Sequence, residues 1–157
     1  MIKAVEAVRR SVVVPASRER AFEVFTSGMT SWWPSAHHIG SAPIEEVVVE
    51  PREGGRWYTR HQDGSETQTG FVSVWEPPAR LVLAWQLTAD WQYDPKLITT
   101  VELRFVAEAA DRTRVELEHR DLERFGPDAE RTRITFEDPG AWTATLAAYG
   151  ATLGATA

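Results

Sequence analysis

The 157-residue sequence contains no cysteine. Disulfide bonds, thiolate nucleophiles and cysteine-rich zinc sites are therefore excluded, while both reducing and oxidising compartments stay open. The sequence also lacks an uninterrupted apolar run long enough to cross a membrane or to form the core of a signal peptide. These absences predict a soluble protein, for which the cytoplasm is the simplest location.

Positive charge is scarce and dispersed. Seventeen Lys and Arg residues stand against 23 Asp and Glu residues, which gives a formal net charge of −6. Proteins that bind nucleic acid normally carry clusters of basic residues, and this sequence has none. The arginines between Arg112 and Arg133 alternate with Asp and Glu, so we predict that this region is a solvated surface of mixed charge.

Aromatic residues, in contrast, are abundant. The sequence has seven Trp, six Phe and three Tyr residues. Side chains of this size pack together, cover a cavity or contact a partner. A chain of this length buries roughly 70% of its unfolded surface, which is enough for a substantial core. We therefore predict a single domain over residues 1–157.

The first elements are a strand followed by helical structure. Residues 5–14 are rich in Val and end at Pro15, which predicts a strand. Ser17 is a suitable N-cap, and the apolar residues after it recur at intervals of three and four. This spacing predicts an apolar helical face that continues, with a break, to Trp33.

From residue 44 onward, short extended runs alternate with turn residues such as Asp63-Gly64 and Pro77-Pro78, which predicts six antiparallel strands. In the last two runs apolar and charged residues alternate, so one face of the sheet is predicted to be buried and the other to be wet. The predicted buried face consists of Val101, Leu103, Phe105, Val115, Leu117 and His119.

The C-terminal segment predicts one helix that covers the dry face of the sheet. Asp138 is a suitable cap and Pro139 a suitable first helical residue. The apolar stripe that follows has intervals of four, three and four residues. Its members are Trp142, Leu146, Tyr149 and Leu153.

Several stretches together resemble a known family. They are RSVVVPASRERAFEVFT, WWP, REGGRWYTRHQDGSETQTGFVSVWEPPARLVLAWQ, VELEHRDLERFG and PGAW, and they span nearly the whole chain. The sequence resembles the heat-shock protein 90 ATPase activator homologue-like branch of the START-related helix-grip superfamily, also called SRPBCC. The resemblance implies an α+β fold in which a curved seven-stranded antiparallel sheet wraps around a long C-terminal helix, with two short helices after the first strand.

The resemblance also implies a cavity between sheet and helix that commonly holds an apolar or amphipathic small molecule. It does not select one activity, because members act as lipid carriers, hormone receptors, cyclases or co-chaperone domains. Co-chaperones of this kind pair the domain with a separate N-terminal domain, of which this sequence shows no sign.

The four histidines are the first candidates for chemistry. Adjacent His37 and His38 match no metal-binding motif, so we predict no metal site and expect them to offer polar contacts at a rim. The alternation places His119 on the apolar face, where it either hydrogen-bonds backbone or a carboxylate or orients a ligand. The same ambiguity applies to His61, which shares a face with Trp57.

The tryptophans divide into two groups. Trp32, Trp33 and Trp91 follow a helix or lie in a loop, so we predict that they cover the mouth of the cavity. The others that matter here lie on regular elements, where they either belong to the core or line a cavity. This second group consists of Trp75, Trp85 and Trp142.

The leading hypothesis is a protein, more likely non-catalytic than catalytic, that binds an apolar or amphipathic small molecule without a cofactor. The first alternative is co-chaperone-like activation of a heat-shock protein 90 type ATPase. The second is a polyketide cyclase or hydrolase with His119 or His61 as general base. We expect a monomer or a homodimer. The predicted ligand-binding residues are Trp33, Trp57, His61, Trp85, Trp91, Leu103, His119, Trp142, Leu146 and Tyr149.

Overall fold

The computed structural model describes residues 5–37 and 40–155 and contains seven strands in that part of the chain. The strands are β1 (Val8–Val14), β2 (Ile44–Val49), β3 (Arg56–His61), β4 (Glu66–Glu76), β5 (Arg80–Trp85), β6 (Thr99–Ala109) and β7 (Arg112–Arg120). The helical elements are α1 (Arg18–Thr26), a 3₁₀ turn (Met29–Ser31), a 3₁₀ segment (Leu122–Asp128), α2 (Ala129–Glu137), a π-helical turn (Pro139–Thr143) and α3 (Ala144–Thr152).

All seven strands form one antiparallel sheet in the order β1-β7-β6-β5-β4-β3-β2. β1 and β2 follow one another in the chain but lie at opposite edges, and the connection between them carries α1 and the 3₁₀ turn. The sheet is curled into a half-barrel against the C-terminal helices. The predicted α+β helix-grip fold is confirmed.

The first helix begins where the sequence predicts. The hydroxyl of Ser17 accepts a hydrogen bond from the backbone N–H of Arg20 at 3.1 Å, which caps α1. Phe22 and Phe25 lie on its buried side, and both rings contact Phe105 of β6. The helical structure is shorter than predicted, because α1 ends at residue 26 and only the 3₁₀ turn follows.

Trp32 does not cover a mouth, so that prediction is wrong. Its side chain is buried, and its indole N–H donates to the backbone oxygen of Val24 at 2.8 Å. The ring packs against Phe25 and Tyr149. Trp32 therefore belongs to the core, because the 3₁₀ turn before it directs the two adjacent indoles to different environments.

The alternation of the last two strands is confirmed, and the opposite face of the sheet carries an unexpected buried charge. Glu102 is only 4% exposed. Its carboxylate accepts hydrogen bonds from Arg80, Arg104 and Arg120 at 2.9, 2.7 and 2.6 Å. Burial by itself would raise the pKa of Glu102, but these arginines lower it to about 2. On this outer face, the carboxylate of Glu102 is therefore the common hydrogen-bond acceptor of three arginines.

The C-terminal helix lies where predicted, but it is not one regular element. Asp138 accepts a hydrogen bond from the N–H of Gly140 at 2.8 Å, as expected for a cap. Ala141 has a non-helical backbone, so the regular α-helix starts only at Ala144. A further helix, α2, precedes this segment and was not predicted. Among the described residues, no helix has the length and hydropathy needed to cross a bilayer.

Candidate functional site

A cavity of about 660 Å³ lies between the sheet and the C-terminal helical segments. Strands β2, β3, β4 and β5 supply one wall, and α2, the π-helical turn and α3 supply the opposite wall. The segment after the first 3₁₀ turn and the loop of residues 86–98 border the opening. The volume lies within the range of sites that hold drug-sized ligands.

Four indoles form the centre of the cavity wall, and we call them the tryptophan cluster: Trp33, Trp57, Trp85 and Trp142. Trp85 contacts Trp57 and Trp142 with ring centroids 5.7 Å apart in each case. Trp33 completes the ring at 6.0 Å from Trp57 and 6.4 Å from Trp142. All four contacts are edge-to-face, the arrangement that aromatic quadrupoles favour, so the indoles support one another in fixed positions.

Gly70 explains how two of these indoles reach one another across the sheet. In the strand register it lies opposite both Trp57 and Trp85. A Cβ atom at this position would lie 1.6 Å from the backbone oxygen of Ala84 and 3.6 Å from the ring of Trp57. The absence of a side chain therefore allows β4 and β5 to approach closely beneath the indoles.

The strand wall also carries hydroxyl groups, from Thr59, Thr67 and Thr69, which we call the threonine strip. Thr59 on β3 is the direct cross-strand partner of Thr67 on β4. Thr59 and Thr69 are 5% and 9% exposed, so their hydroxyls are enclosed with the cavity. The wall is therefore aromatic in one part and hydroxylated in another.

His61 lies behind the threonine strip and not on the cavity wall. Its side chain is fully buried. Nδ1 lies 2.9 Å from the backbone oxygen of Ala42, and since that oxygen can only accept, Nδ1 carries a hydrogen. Nε2 lies 2.9 Å from the hydroxyl of Thr67. The hydroxyl of Thr67 thus lies between Nε2 of His61 and the cavity.

His119 is also fully buried and lies beneath the tryptophan cluster. The hydroxyl of Thr99 donates to the backbone oxygen of Trp85 at 3.1 Å, so it accepts from Nε2 of His119 at 2.8 Å. Nδ1 then accepts from the indole N–H of Trp142 at 3.2 Å. Both ring nitrogens are used inside the protein, which makes His119 a positioning residue for Trp142. Burial lowers the pKa of His119 to about 3.

This burial predicts a specific pH dependence of stability. Below pH 6.5 the unfolded chain binds a proton at His119 that the folded chain does not bind. The stability from neutral His119 is therefore complete above pH 6.5 and is lost as the pH falls toward 3. We expect this group alone to lower the free energy of unfolding by about 2 kcal/mol between pH 6.5 and pH 5.

Urea unfolding at a series of pH values, for the wild type and His119→Gln, measures this contribution. The other titrating groups are common to both proteins, so the difference between the two curves isolates residue 119. Parallel curves between pH 6.5 and pH 5 would contradict the assignment of a neutral, buried imidazole.

The opening of the cavity is bordered by exposed apolar side chains. Trp91, in the loop of residues 86–98, is 45% exposed, and Ile134 of α2 is 58% exposed. Trp91 has a left-handed backbone (φ 62°) and contacts Trp85, at 6.4 Å between ring centroids. Trp33 donates its indole N–H to the backbone oxygen of His37, which is exposed at the same rim.

The structure divides the ten predicted ligand-binding residues into two halves. Those on the cavity wall are Trp33, Trp57, Trp85, Trp91 and Trp142. Those buried away from the wall are His61, Leu103, His119, Leu146 and Tyr149. For Tyr149 the reason is explicit, because its hydroxyl donates to the backbone oxygen of Ala21 at 2.7 Å and its ring packs in the core.

The remaining residues singled out in the sequence are Trp75 and His38. Trp75 is half-buried and packs against Phe22, away from the cavity. His38 lies outside the described residues. Within residues 5–37 and 40–155, no three His, Asp or Glu side chains are grouped closely enough to hold a metal ion.

Sequence reasoning missed the wall contributed by α2. Phe136 contacts His119 at 4.4 Å and Trp85 at 5.5 Å between ring centroids. Ala129, Thr132 and Phe136 are buried at intervals of three and four residues, so a helical signal was present. It was missed because two of these three residues, Ala129 and Thr132, are not large apolar residues.

Comparison with known proteins places the chain in a family. The family model described as "Activator of Hsp90 ATPase homolog 1-like protein" matches residues 15–150. The chain belongs to this family. A comparison with curated proteins found no match.

Solved structures similar to the chain include two with substantial sequence identity. The first is an anthrahydroquino-gamma-pyrone synthase, Txn09, complexed with SUM: it is 37% identical, the match covers 94% of this chain and 97% of that chain, and the TM-score is 0.66. The second is CalC from Micromonospora echinospora, a self-sacrificing resistance protein: it is 30% identical, the match covers 94% and 93% of the two chains, and the TM-score is 0.70. A protein from Mesorhizobium loti, at 16% identity and a TM-score of 0.67, shares the fold.

Proposed function

We propose that the protein binds an apolar or amphipathic small molecule with a flat ring system in the cavity between the sheet and the C-terminal helices. The observation that carries this proposal is the tryptophan cluster, whose edge-to-face rings border an open cavity of about 660 Å³. Aromatic walls with few polar anchors are typical of small-molecule sites. The name of one similar structure described above, an anthrahydroquino-gamma-pyrone synthase, supports a ligand with a flat ring system.

The exposed apolar rim gives further support. Trp91 and Ile134 both border the cavity, and they are 45% and 58% exposed. An amphipathic molecule that extends from the cavity to the rim would cover these side chains and remove apolar surface from water.

Two measurements test the proposal. Native mass spectrometry of freshly purified protein would detect a co-purifying small molecule and give its mass. Titration with 1-anilinonaphthalene-8-sulfonate, followed by its fluorescence and by quenching of tryptophan, would detect binding at the cluster. No retained molecule together with no saturable quenching would contradict the proposal.

Replacement of Trp33 by Ala should change ligand release more than stability. Trp33 is half-buried at the opening, so its loss widens the mouth, and the ring contacts that it removes lie at the edge of the tryptophan cluster. We expect 1-anilinonaphthalene-8-sulfonate to dissociate about tenfold faster, as measured by stopped-flow displacement. The adjacent Trp32→Ala is the matched control, because it removes core contacts and should lower stability instead. Strong destabilisation by Trp33→Ala would make Trp33 a core residue.

A second candidate is an enzyme of the polyketide cyclase type, favoured by the identity of 37% to a synthase. His119 has no free ring nitrogen, so the proton acceptor for such a reaction would be Nε2 of His61: the hydroxyl of Thr67 would take the substrate proton while its own proton passes to Nε2. Incubation with a linear poly-β-ketone substrate, followed by mass spectrometry, tests this candidate. Unchanged substrate after many equivalents of protein and long incubation would eliminate it.

A co-chaperone role is supported by the family description alone. Addition of the protein to a heat-shock protein 90 ATPase should then raise the rate of hydrolysis, and an unchanged rate would end this alternative. A cytoplasmic location, a single domain over residues 1–157 and a monomeric or homodimeric state stay predictions.

A further inference from the structure

The threonine strip contains hydroxyls that the rest of the protein does not use. Among the described residues, the side chains of Thr59 and Thr69 have no hydrogen-bond partner, although both residues are more than nine-tenths buried. Within residues 5–37 and 40–155, only Trp85 has a polar side-chain atom that is both closed off from solvent and unpaired, so the hydroxyls of Thr59 and Thr69 stay accessible from the cavity. Hydroxyls that face a cavity and are not used by the protein can donate to and accept from a molecule bound there.

Thr67 differs from Thr59 and Thr69 because its hydroxyl proton is used in a hydrogen bond within the protein. Nδ1 of His61 carries a hydrogen for the carbonyl of Ala42, so in the neutral imidazole Nε2 is an acceptor. The hydroxyl of Thr67 therefore donates to Nε2 over the 2.9 Å that separates them. What Thr67 presents to the cavity is an oxygen that accepts hydrogen bonds.

The two kinds of hydroxyl are close to one another. Thr59 and Thr67 are direct cross-strand partners on the same face, which places their Cβ atoms about 5 Å apart. A single ligand oxygen between them could donate to Thr67 and accept from Thr59 or Thr69. A hydroxyl group can do both at once, whereas an ether or a carbonyl oxygen can only accept.

We propose that the threonine strip is a subsite that selects a free hydroxyl group on the ring ligand. This inference rests on the proposed function and adds the chemical class of the ligand: a flat ring compound with a phenolic or enolic hydroxyl at the end that faces β3 and β4. The tryptophan cluster contacts the rings of the ligand, and the threonine strip forms hydrogen bonds with the hydroxyl group of the ligand.

A matched pair of probes tests the inference. 2-Hydroxyanthraquinone and 2-methoxyanthraquinone share the ring system and differ in one hydrogen-bond donor. We expect the wild type to bind the hydroxy probe about tenfold more tightly, measured by quenching of tryptophan fluorescence. Thr67→Val should abolish this preference, and Thr67→Ser should restore it because the hydroxyl is kept.

Thr135→Val is the control, since Thr135 lines the opposite, helical wall and donates to the backbone oxygen of Arg131. This variant should keep the preference. Equal affinity of the wild type for both probes, or a preference that survives in Thr67→Val, would overturn the inference. Failure of both probes to bind while 1-anilinonaphthalene-8-sulfonate still binds would overturn it too and leave the proposed function intact. Failure of all three would contradict the proposed function itself.

Discussion

Gly70→Ala is expected to lower the free energy of unfolding by more than about 3 kcal/mol, the largest effect of any single methyl group that we foresee in this protein. The added Cβ would lie 1.6 Å from the backbone oxygen of Ala84. That oxygen belongs to the neighbouring strand and cannot rotate away as a side chain would. β4 and β5 would have to separate, which breaks ladder hydrogen bonds and moves Trp57 and Trp85 apart.

Urea unfolding followed by tryptophan fluorescence measures this effect. Gly64→Ala is the matched control, because Gly64 has a left-handed backbone (φ +86°) but an added Cβ there would meet nothing within 4 Å. The control should lower the free energy of unfolding by only about 1 kcal/mol, because an alanine disfavours the left-handed backbone. Similar losses in the two variants would show that the close approach at Gly70 is not tight.

Glu102→Gln should cost about 3 kcal/mol at neutral pH. The carboxylate is 5% exposed and accepts hydrogen bonds from three arginines, so the substitution leaves three like charges around a neutral amide. The arginines are between 35% and 63% exposed, and their access to water limits the loss to the lower end for a buried ion pair. Thermal and urea unfolding both measure it.

The sign of the pH dependence provides a second test. The pKa of Glu102 is lowered from 4.5 to about 2, so its contribution is present above pH 4.5 and is lost as the pH falls toward 2. The gap between wild type and Glu102→Gln should therefore narrow below pH 4.5. Glu116→Gln is the control: Glu116 is 45% exposed, pairs with Arg114, and should cost less than about 1 kcal/mol. If the difference in free energy of unfolding between the wild type and Glu102→Gln did not depend on pH, the loss of stability would be steric and not electrostatic.

The strands could be predicted from the sequence because their signals are local. Alternation along β6 and β7 and the turn residues between the runs depend on neighbours in the chain. α2 was missed because its buried face consists of Ala129, Thr132 and Phe136, which a periodicity of large apolar residues does not detect. The ring of Phe136 is buried against Trp85 and His119, which lie on other elements, and tertiary contacts of this kind stabilise a helix of only nine residues.

The candidate site was predictable in composition but not in detail. The tryptophans of the wall stand out in the sequence, yet sequence alone could not separate Trp32 in the core from Trp33 at the opening. The role of His119 was equally out of reach of the sequence. The residue lies on the predicted face, but its role depends on hydrogen bonds to Thr99 and Trp142, which belong to other elements. Such pairings follow from sheet register and helix placement, which single-sequence patterns do not encode.

The loop of residues 86–98 borders the cavity but adds no strand to the sheet. Among the described residues, its backbone pairing is confined to one isolated bridge between Leu87 and Tyr93 and, at its first residue, a hydrogen bond from the N–H of Gln86 to the backbone oxygen of Thr69 at 2.9 Å. Insertions, deletions and substitutions in this loop can thus alter which molecules enter while the scaffold keeps its stability. Evolution can in this way diversify the selectivity of homologues without having to rediscover the fold.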